Sequence, residues 1–164
     1  MFPNVRRKKT FLYVLAVGSP IAFAAWQALL NNFVVEVANF SGREIGILQS
    51  LREIPGFLAF TVVFLLVYFR QQNFSALSLI LLGIGTAITG FFPSFLGLYI
   101  TTVLMSIGFH YLETMQTSLS LQWLTKEEAP RELGKIISIR AASTLGVLTK
   151  LGWLANRISC SFSE

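Results

Sequence analysis

The sequence is poor in charged residues, and it contains one cysteine, one histidine and no aspartate. Charged residues make up 13% of the chain, whereas soluble domains typically carry about 25%. Hydrophobic residues make up 54%, and the mean hydropathy is +0.64. The single cysteine, Cys160, allows neither a disulfide framework nor a multi-cysteine metal site. Together these shortages favour a membrane protein over a soluble domain.

Four long apolar runs predict membrane-spanning helices. We place them at about residues 11–35, 45–69, 74–92 and 95–123. A helix needs roughly 20 predominantly apolar residues to cross the hydrocarbon core of a bilayer, and each run is close to that length. We therefore expect an all-α membrane protein with four transmembrane helices in residues 11–124.

Basic residues beside the spans predict how the chain is oriented, because cytoplasmic loops carry an excess of Lys and Arg. Residues 1–10 form a basic start that contains the run Arg6-Arg7-Lys8-Lys9. With this start inside, eight basic residues flank the spans on the cytoplasmic side and only Arg43 lies outside. We expect a multi-pass protein of the cell inner (plasma) membrane with a cytoplasmic amino terminus. Its basic run then faces the lipid bilayer rather than nucleic acid.

The sequence after the fourth span is more polar. Residues 125–135 are charged and predict a cytoplasmic loop. Residues 136–155 are apolar but contain Arg140 and Lys150, so they predict either an incomplete fifth span or an amphipathic helix on the membrane surface. Residues 156–164 are interpreted as a polar tail.

The fourth span carries two ionisable residues, His110 and Glu113, in a stretch that is otherwise uncharged. Such residues cost roughly 2.5–3.5 kcal/mol each at mid-membrane and usually face a bundle interior or a wet cavity. On an ideal helix, Ser106, Glu113 and Thr117 fall within about 60° of His110. This polar stripe predicts a helix that lines an internal cavity.

The second span carries a comparable polar patch. Gln49, Arg52, Glu53 and Gly56 fall within an arc of about 100°, and Arg52 lies roughly 10 Å inside the start of the helix. A guanidinium at that depth needs a carboxylate or carbonyl partner, which Glu113 or Glu53 could supply. We therefore expect the second and fourth helices to face each other across a polar interior.

These residues indicate a substrate or proton pathway. Arg52 could bind an anionic group of a small-molecule solute, while Glu113 and His110 are candidate proton carriers. The alternatives are a structural Arg52–Glu pair, a His110 hydrogen bond to a neighbouring helix, or a solvated outer vestibule around Glu53. No nucleophile–base pair, phosphate loop or metal cluster occurs in an aqueous segment, so we expect neither an enzyme nor a cofactor or metal.

Two segments resemble bacterial transporters of the major facilitator superfamily. Their sequences are GILQSLREIPGFLAF (Gly46 to Phe60) and SIGFHYLETMQTSLSLQWL (Ser106 to Leu124), similar to the second and fourth helices of that family. The resemblance covers roughly residues 8–148. It implies twelve helices in two halves, alternating access and often proton coupling. It also implies a central cavity lined by Arg52, Glu53, His110 and Glu113, with Gln49, Ser106 and Thr117 as further lining residues.

The chain departs from the family in one loop and in length. The turn between the second and third helices, residues 68–74, lacks the family's glycine–aspartate–arginine signature. A full transporter needs about 400 residues, since each helix with its connection takes about 30. We therefore expect a truncated product that depends on missing transporter helices or on a homo-oligomer. The alternative is a complete small four-helix protein, either an oligomeric exporter with Glu113 at its interface or an accessory subunit.

Overall fold

The computed structural model describes the backbone of residues 5–161 and the side chains of residues 6–154. Parts of the predicted basic start and polar tail, residues 1–4 and 162–164, lie outside the described residues, as does the side chain of Cys160. The described chain is helical apart from short connections, with six α-helices: α1 (Val5–Asn32), α2 (Gly42–Phe57), α3 (Val62–Leu65), α4 (Gln71–Ile88), α5 (Phe95–Trp123) and α6 (Ala129–Ser161).

Four helical segments of this described chain are apolar and long enough to cross a membrane. They are Arg6–Val37, Gly42–Leu65, Gln71–Phe91 and Phe95–Trp123. The prediction of an all-α protein with four helices of membrane-spanning length is therefore confirmed. The first segment is α1 extended by a π-helical turn, and the third is α4 extended by a 3₁₀ turn.

The second segment is an interrupted helix. Pro55 is buried inside α2, and its ring removes a backbone donor and clashes with the preceding turn. The chain then tightens into a 3₁₀ turn, Leu58–Thr61, before α3 begins. The helix ends at Leu65, short of the predicted boundary at residue 69, because the backbone turns sharply before α4.

Helix α5 is the centre of the bundle and packs against α1, α2 and α4. Its apolar back, with Leu98, Met105 and Leu112, is completely buried. Glycines allow α4 and α5 to approach closely. A Cβ atom at Gly85 would lie 2.7 Å from the Cα atom of Met105, and one at Gly108 would lie 2.7 Å from the carbonyl oxygen of Ser78.

Helix α6 begins within the segment that was predicted as a loop. The hydroxyl of Thr125 accepts a hydrogen bond from the Glu128 amide at 3.3 Å and so helps to start the helix. Pro130 lies in the first turn, where a backbone donor is not needed. The helix then continues from Ala129 to Ser161, through the predicted fifth segment and into the predicted tail.

Helix α6 lies alongside α1 and runs in the same direction. Near its start, Lys9 of α1 pairs with Glu128 at 2.8 Å, and Tyr13 donates a hydrogen bond to Glu132. Further along, residues 20–27 of α1 face residues 137–148 of α6 across a cavity. Helix α6 therefore packs along one of the four membrane-length helices.

The contacts at the start of α6 depend on two carboxylates with lowered pKa values. The hydrogen bond and charge of Lys9 lower the pKa of Glu128 below its ordinary value of 4.5. The hydrogen bonds from Tyr13 and from Lys135, at 3.0 Å, lower the pKa of Glu132 in the same way. A depressed pKa means that the folded protein favours the ionised carboxylate.

We expect the purified protein to lose thermal stability as the pH falls below 4.5. The two carboxylates stabilise the fold above their unfolded pKa, and this stabilisation is lost as they are protonated. Melting temperatures measured from pH 7 to 3 test this. The Glu128→Gln variant should show a weaker acid dependence, whereas Glu127→Gln, at an exposed loop position, should follow the parent protein. An equal acid dependence in all three proteins would contradict the prediction.

Candidate functional site

An ion pair between α5 and α6 forms the core of the candidate site. The Nη2 atom of Arg140 lies 2.6 Å from the Oε1 atom of Glu113. Ser19 of α1, which is completely buried, places its hydroxyl 3.4 Å from the same carboxylate oxygen. The pair is about one-third exposed, with side-chain accessibilities of 29% for Arg140 and 33% for Glu113. Three helices therefore meet at one carboxylate.

Arg140 also binds the next turn of α5. Its Nη1 atom donates a hydrogen bond to the Oε1 atom of Gln116 at 3.1 Å. The planar guanidinium thus uses two of its nitrogen atoms to join two residues of the same helix. The Nε2 atom of Gln116 is buried and has no hydrogen-bond partner among the described residues.

Arg52 has a different set of partners. Its Nε and Nη2 atoms donate to the Oε1 atom of Glu53 at 2.9 and 2.7 Å. Its Nη1 atom donates to the Oε1 atom of Gln27 in α1 at 2.8 Å, and its guanidinium lies 5.9 Å from the centre of the Phe23 ring. Of the two carboxylates proposed as partners from the sequence, Arg52 pairs with Glu53 and not with Glu113.

Ser106 and His110 connect α5 to α2. The hydroxyl of Ser106 donates a hydrogen bond to the backbone carbonyl of Arg52. The His110 ring packs against Gly56, where a Cβ atom would lie 2.9 Å from the Cε1 atom of the ring. The two helices thus pack against each other at residues of both predicted polar patches, and Gly56 provides the space for the imidazole.

The two remaining predicted lining residues, Gln49 and Thr117, lie at the margin of the polar cluster formed by Arg52, Glu53, Ser106, His110, Glu113 and Arg140. Thr117 is exposed, and its hydroxyl donates to the Glu113 carbonyl at 3.0 Å. Gln49 is half-buried on α2, one turn before Arg52. The polar stripe of α5 does not all face α2, because Glu113 contacts α1 and α6 instead.

A cavity of about 540 Å³ opens between α1, α5 and α6. Its apolar wall includes Phe23 and Phe109, whose stacked rings are 4.3 Å apart between centroids. Its polar wall is formed by Gln27, Arg140 and Thr144. Phe23 and Gln27 also contact Arg52, so the two arginines are linked through the residues that line this cavity.

The sequence interpretation missed Arg140 as a site residue. It treated this arginine as an interruption of a doubtful fifth span. The depth argument that selected Arg52 applies equally to Arg140, which lies in an uncharged run between Lys135 and Lys150. Among the described residues, no group of three or more His, Cys, Asp or Glu side chains is placed to hold a metal ion.

The four apolar helices and the polar cluster among them are those of a multi-pass membrane protein. No protein-family model matches the chain, and neither a curated protein nor a solved structure shows significant similarity to it. Its function must therefore be inferred from the polar residues around Glu113 and Arg52.

Proposed function

We propose that the chain is the amino-terminal part of a secondary transporter that resembles the major facilitator superfamily. In the full-length form, it moves a small solute across the inner membrane by alternating access, coupled to protons. The observation that carries this proposal is the Arg140–Glu113 pair at the edge of a cavity between helix α6 and the membrane-length helices α1 and α5. Ionisable groups at such depth are costly and mark substrate or ion pathways.

The cavity supplies the chemistry that a solute site needs. The Phe23–Phe109 stack offers an apolar surface, and Gln27 and Thr144 offer hydrogen-bonding groups. Arg140 offers a cation for an anionic group on the solute. A solute anion that takes Arg140 leaves Glu113 without its ion-pair partner. We propose that Glu113 is the residue that couples solute binding to proton movement.

The helix contacts are compatible with movement at this site. Arg140 belongs to α6, which packs extensively on α1 but only slightly on α5, whereas Glu113 belongs to the central helix α5. Separation of α6 from α5 breaks one ion pair and one hydrogen bond while leaving the α4–α5 packing intact. We propose this separation as the opening step of alternating access.

Proton flux in vesicles tests the proposal. The protein encoded by the open reading frame that contains this chain, including any downstream sequence in frame, is purified and reconstituted into lipid vesicles. The vesicles contain pyranine, a fluorescent dye that reports their internal pH. Panels of carboxylates, amines and sugars are then added outside. We expect one class to drive proton movement, and we expect Glu113→Gln and Arg140→Gln to reduce it at least about tenfold, because each removes half of the coupling pair.

The control is Lys150→Gln, which removes an exposed cation from the same helix as Arg140. It should leave the flux unchanged at equal protein levels in the vesicles. Flux that survives both Glu113→Gln and Arg140→Gln would refute the proposed pathway. Flux from this chain alone, as an oligomer, would instead support the complete small exporter.

A further inference from the structure

The cavity beside the Arg140–Glu113 pair has an apolar middle and one cationic wall residue. Side chains of three helices form the apolar part, among them Phe23, Phe109 and Ile137. Arg140 is the only charged residue among the described residues that line it. We call this space the Arg140 cavity. Its volume of about 540 Å³ lies within the range of small-molecule sites, roughly 300–1,000 Å³.

Gln27, a second polar lining residue, has an amide group of defined orientation. Its Oε1 atom accepts a hydrogen bond from the Nη1 atom of Arg52 at 2.8 Å. A guanidinium only donates, so the amide end that faces Arg52 must be the oxygen. Gln27 therefore keeps its Nε2 group, a donor, for a ligand in the cavity. The third polar lining residue, Thr144, already donates its hydroxyl proton to the Arg140 carbonyl at 3.1 Å.

The two donors, Arg140 and Gln27, lie toward opposite ends of the cavity. Two contacts between the parallel helices α1 and α6 each join residues that are 119 positions apart. The same offset places the backbone of Arg140 level with Ile21. Gln27 lies six residues further along α1, which is about 9 Å at a rise of roughly 1.5 Å per residue. The guanidinium reaches away from Gln27, because it contacts Glu113, whose other partner is Ser19.

Arg140 has hydrogen-bond donors left for a ligand. Its guanidinium carries several N–H groups. One of its terminal nitrogen atoms contacts Glu113 and the other contacts Gln116. The side chain is 29% exposed, so a carboxylate can approach it. Such a carboxylate competes with Glu113 for the same cation, because both form charge-assisted hydrogen bonds with a guanidinium.

We propose that the solute of the Arg140 cavity is an aromatic carboxylate with a hydrogen-bond acceptor at the far end of its ring. The carboxylate binds Arg140, and the acceptor binds the Nε2 group of Gln27. The ring lies between them against Phe23 and Phe109, since aromatic rings pack favourably on one another. This assignment rests on the proposed function, whose solute class it names, but binding can be measured on this chain without transport.

Isothermal titration calorimetry of the purified chain in micelles with 4-methoxycinnamate tests the carboxylate end of the site. The matched ligand is 4-methoxycinnamyl alcohol, which keeps the ring and the ether oxygen but lacks the charge. We expect the acid to bind at least about tenfold more tightly, the usual effect of a hydrogen bond to a charged group. This comparison uses the parent protein and does not depend on how a variant folds.

The Glu113→Gln variant should bind 4-methoxycinnamate about fivefold more tightly than the parent protein, because it removes the carboxylate that competes for Arg140. Its affinity for the alcohol should not change. Arg140→Gln should remove the preference for the acid over the alcohol. The control is Lys150→Gln, which removes an exposed cation from the same helix and should leave both affinities unchanged.

The far end of the site is tested with 4-ethylcinnamate, in which a methylene group replaces the ether oxygen. Gln27→Met keeps the length of the side chain and removes its N–H donors. This variant should lower the preference for the methoxy acid over the ethyl acid about fivefold, the usual effect of one hydrogen bond. The preference is a ratio within one protein, so a change in stability does not alter it.

Three results would overturn the assignment. The first is the absence of saturable binding of 4-methoxycinnamate. The second is an equal affinity for the acid and the alcohol in the parent protein, which would show that the cavity accepts any apolar body. The third is an unchanged preference for the methoxy acid in Gln27→Met. Binding as expected without proton flux in vesicles would support the solute class and refute only the proposed transport.

Discussion

The Arg140→Gln variant is expected to unfold more easily than the parent protein by about 2–3 kcal/mol, because it leaves Glu113 with an uncompensated charge. Breaking a fully buried pair costs more, but both side chains keep about one-third of their surface exposed. Gln116 also loses the donor that occupies its Oε1 atom. Denaturation in detergent micelles, followed by helical circular dichroism, measures the difference.

A double-mutant cycle gives the control for this prediction. Glu113→Gln combined with Arg140→Gln removes both charges, so the double variant should recover most of the lost stability. Arg52→Gln makes an informative comparison. The partner that it abandons, Glu53, is more exposed, at 51%, and can be solvated. The Arg52→Gln variant should therefore lose less stability than Arg140→Gln. If the effects of Glu113→Gln and Arg140→Gln simply add, the two side chains are not energetically coupled.

The Gly108→Ala variant should destabilise the bundle by about 1–3 kcal/mol, the usual cost of overpacking a core. The added methyl group meets the backbone of α4, which cannot move aside as a flexible side chain would. Gly85→Ala should act similarly, because its new Cβ atom meets the Met105 backbone in α5. Thermal unfolding in micelles tests both variants.

Gly83 provides the matched control, since it lies in α4 two residues before Gly85 and has nothing within 4 Å of its Cβ position. Alanine there should be neutral or stabilise the helix by up to about 1 kcal/mol, because alanine has the higher helix propensity. Gly83→Ala and Gly108→Ala with the same stability would show that α4 and α5 are not in close backbone contact.

Much of the fold follows from hydropathy, because a bilayer imposes a length on every apolar helix that crosses it. The fourth predicted span, 95–123, coincides with α5, Phe95–Trp123. The interruption of the second span was harder to predict, because the break after Pro55 is a local change of backbone conformation inside an apolar run. The start of α6 was also missed, because Thr125 and Pro130 resemble loop residues until their capping positions are known.

The candidate site was predicted less completely than the fold. Polar periodicity identified Glu113 and Arg52, and a depth argument indicated that each needs a partner. Periodicity describes only one helix at a time, however, and it cannot select a partner on another helix. The partner of Glu113 is Arg140, which lies 27 positions later in a segment with an uncertain assignment. That choice depends on how α6 packs along α1.

The pairing of α1 with α6 has a consequence for biosynthesis. Lys9 and Glu128 are 119 positions apart, as are Tyr13 and Glu132. The first helix to leave the ribosome therefore meets these partners only after synthesis has passed residue 132. The α4–α5 hairpin forms from neighbouring segments and can assemble meanwhile. Helix α6 is the last of the six described helices to be made, so nascent chains that stop before about residue 140 would lack the Arg140–Glu113 pair.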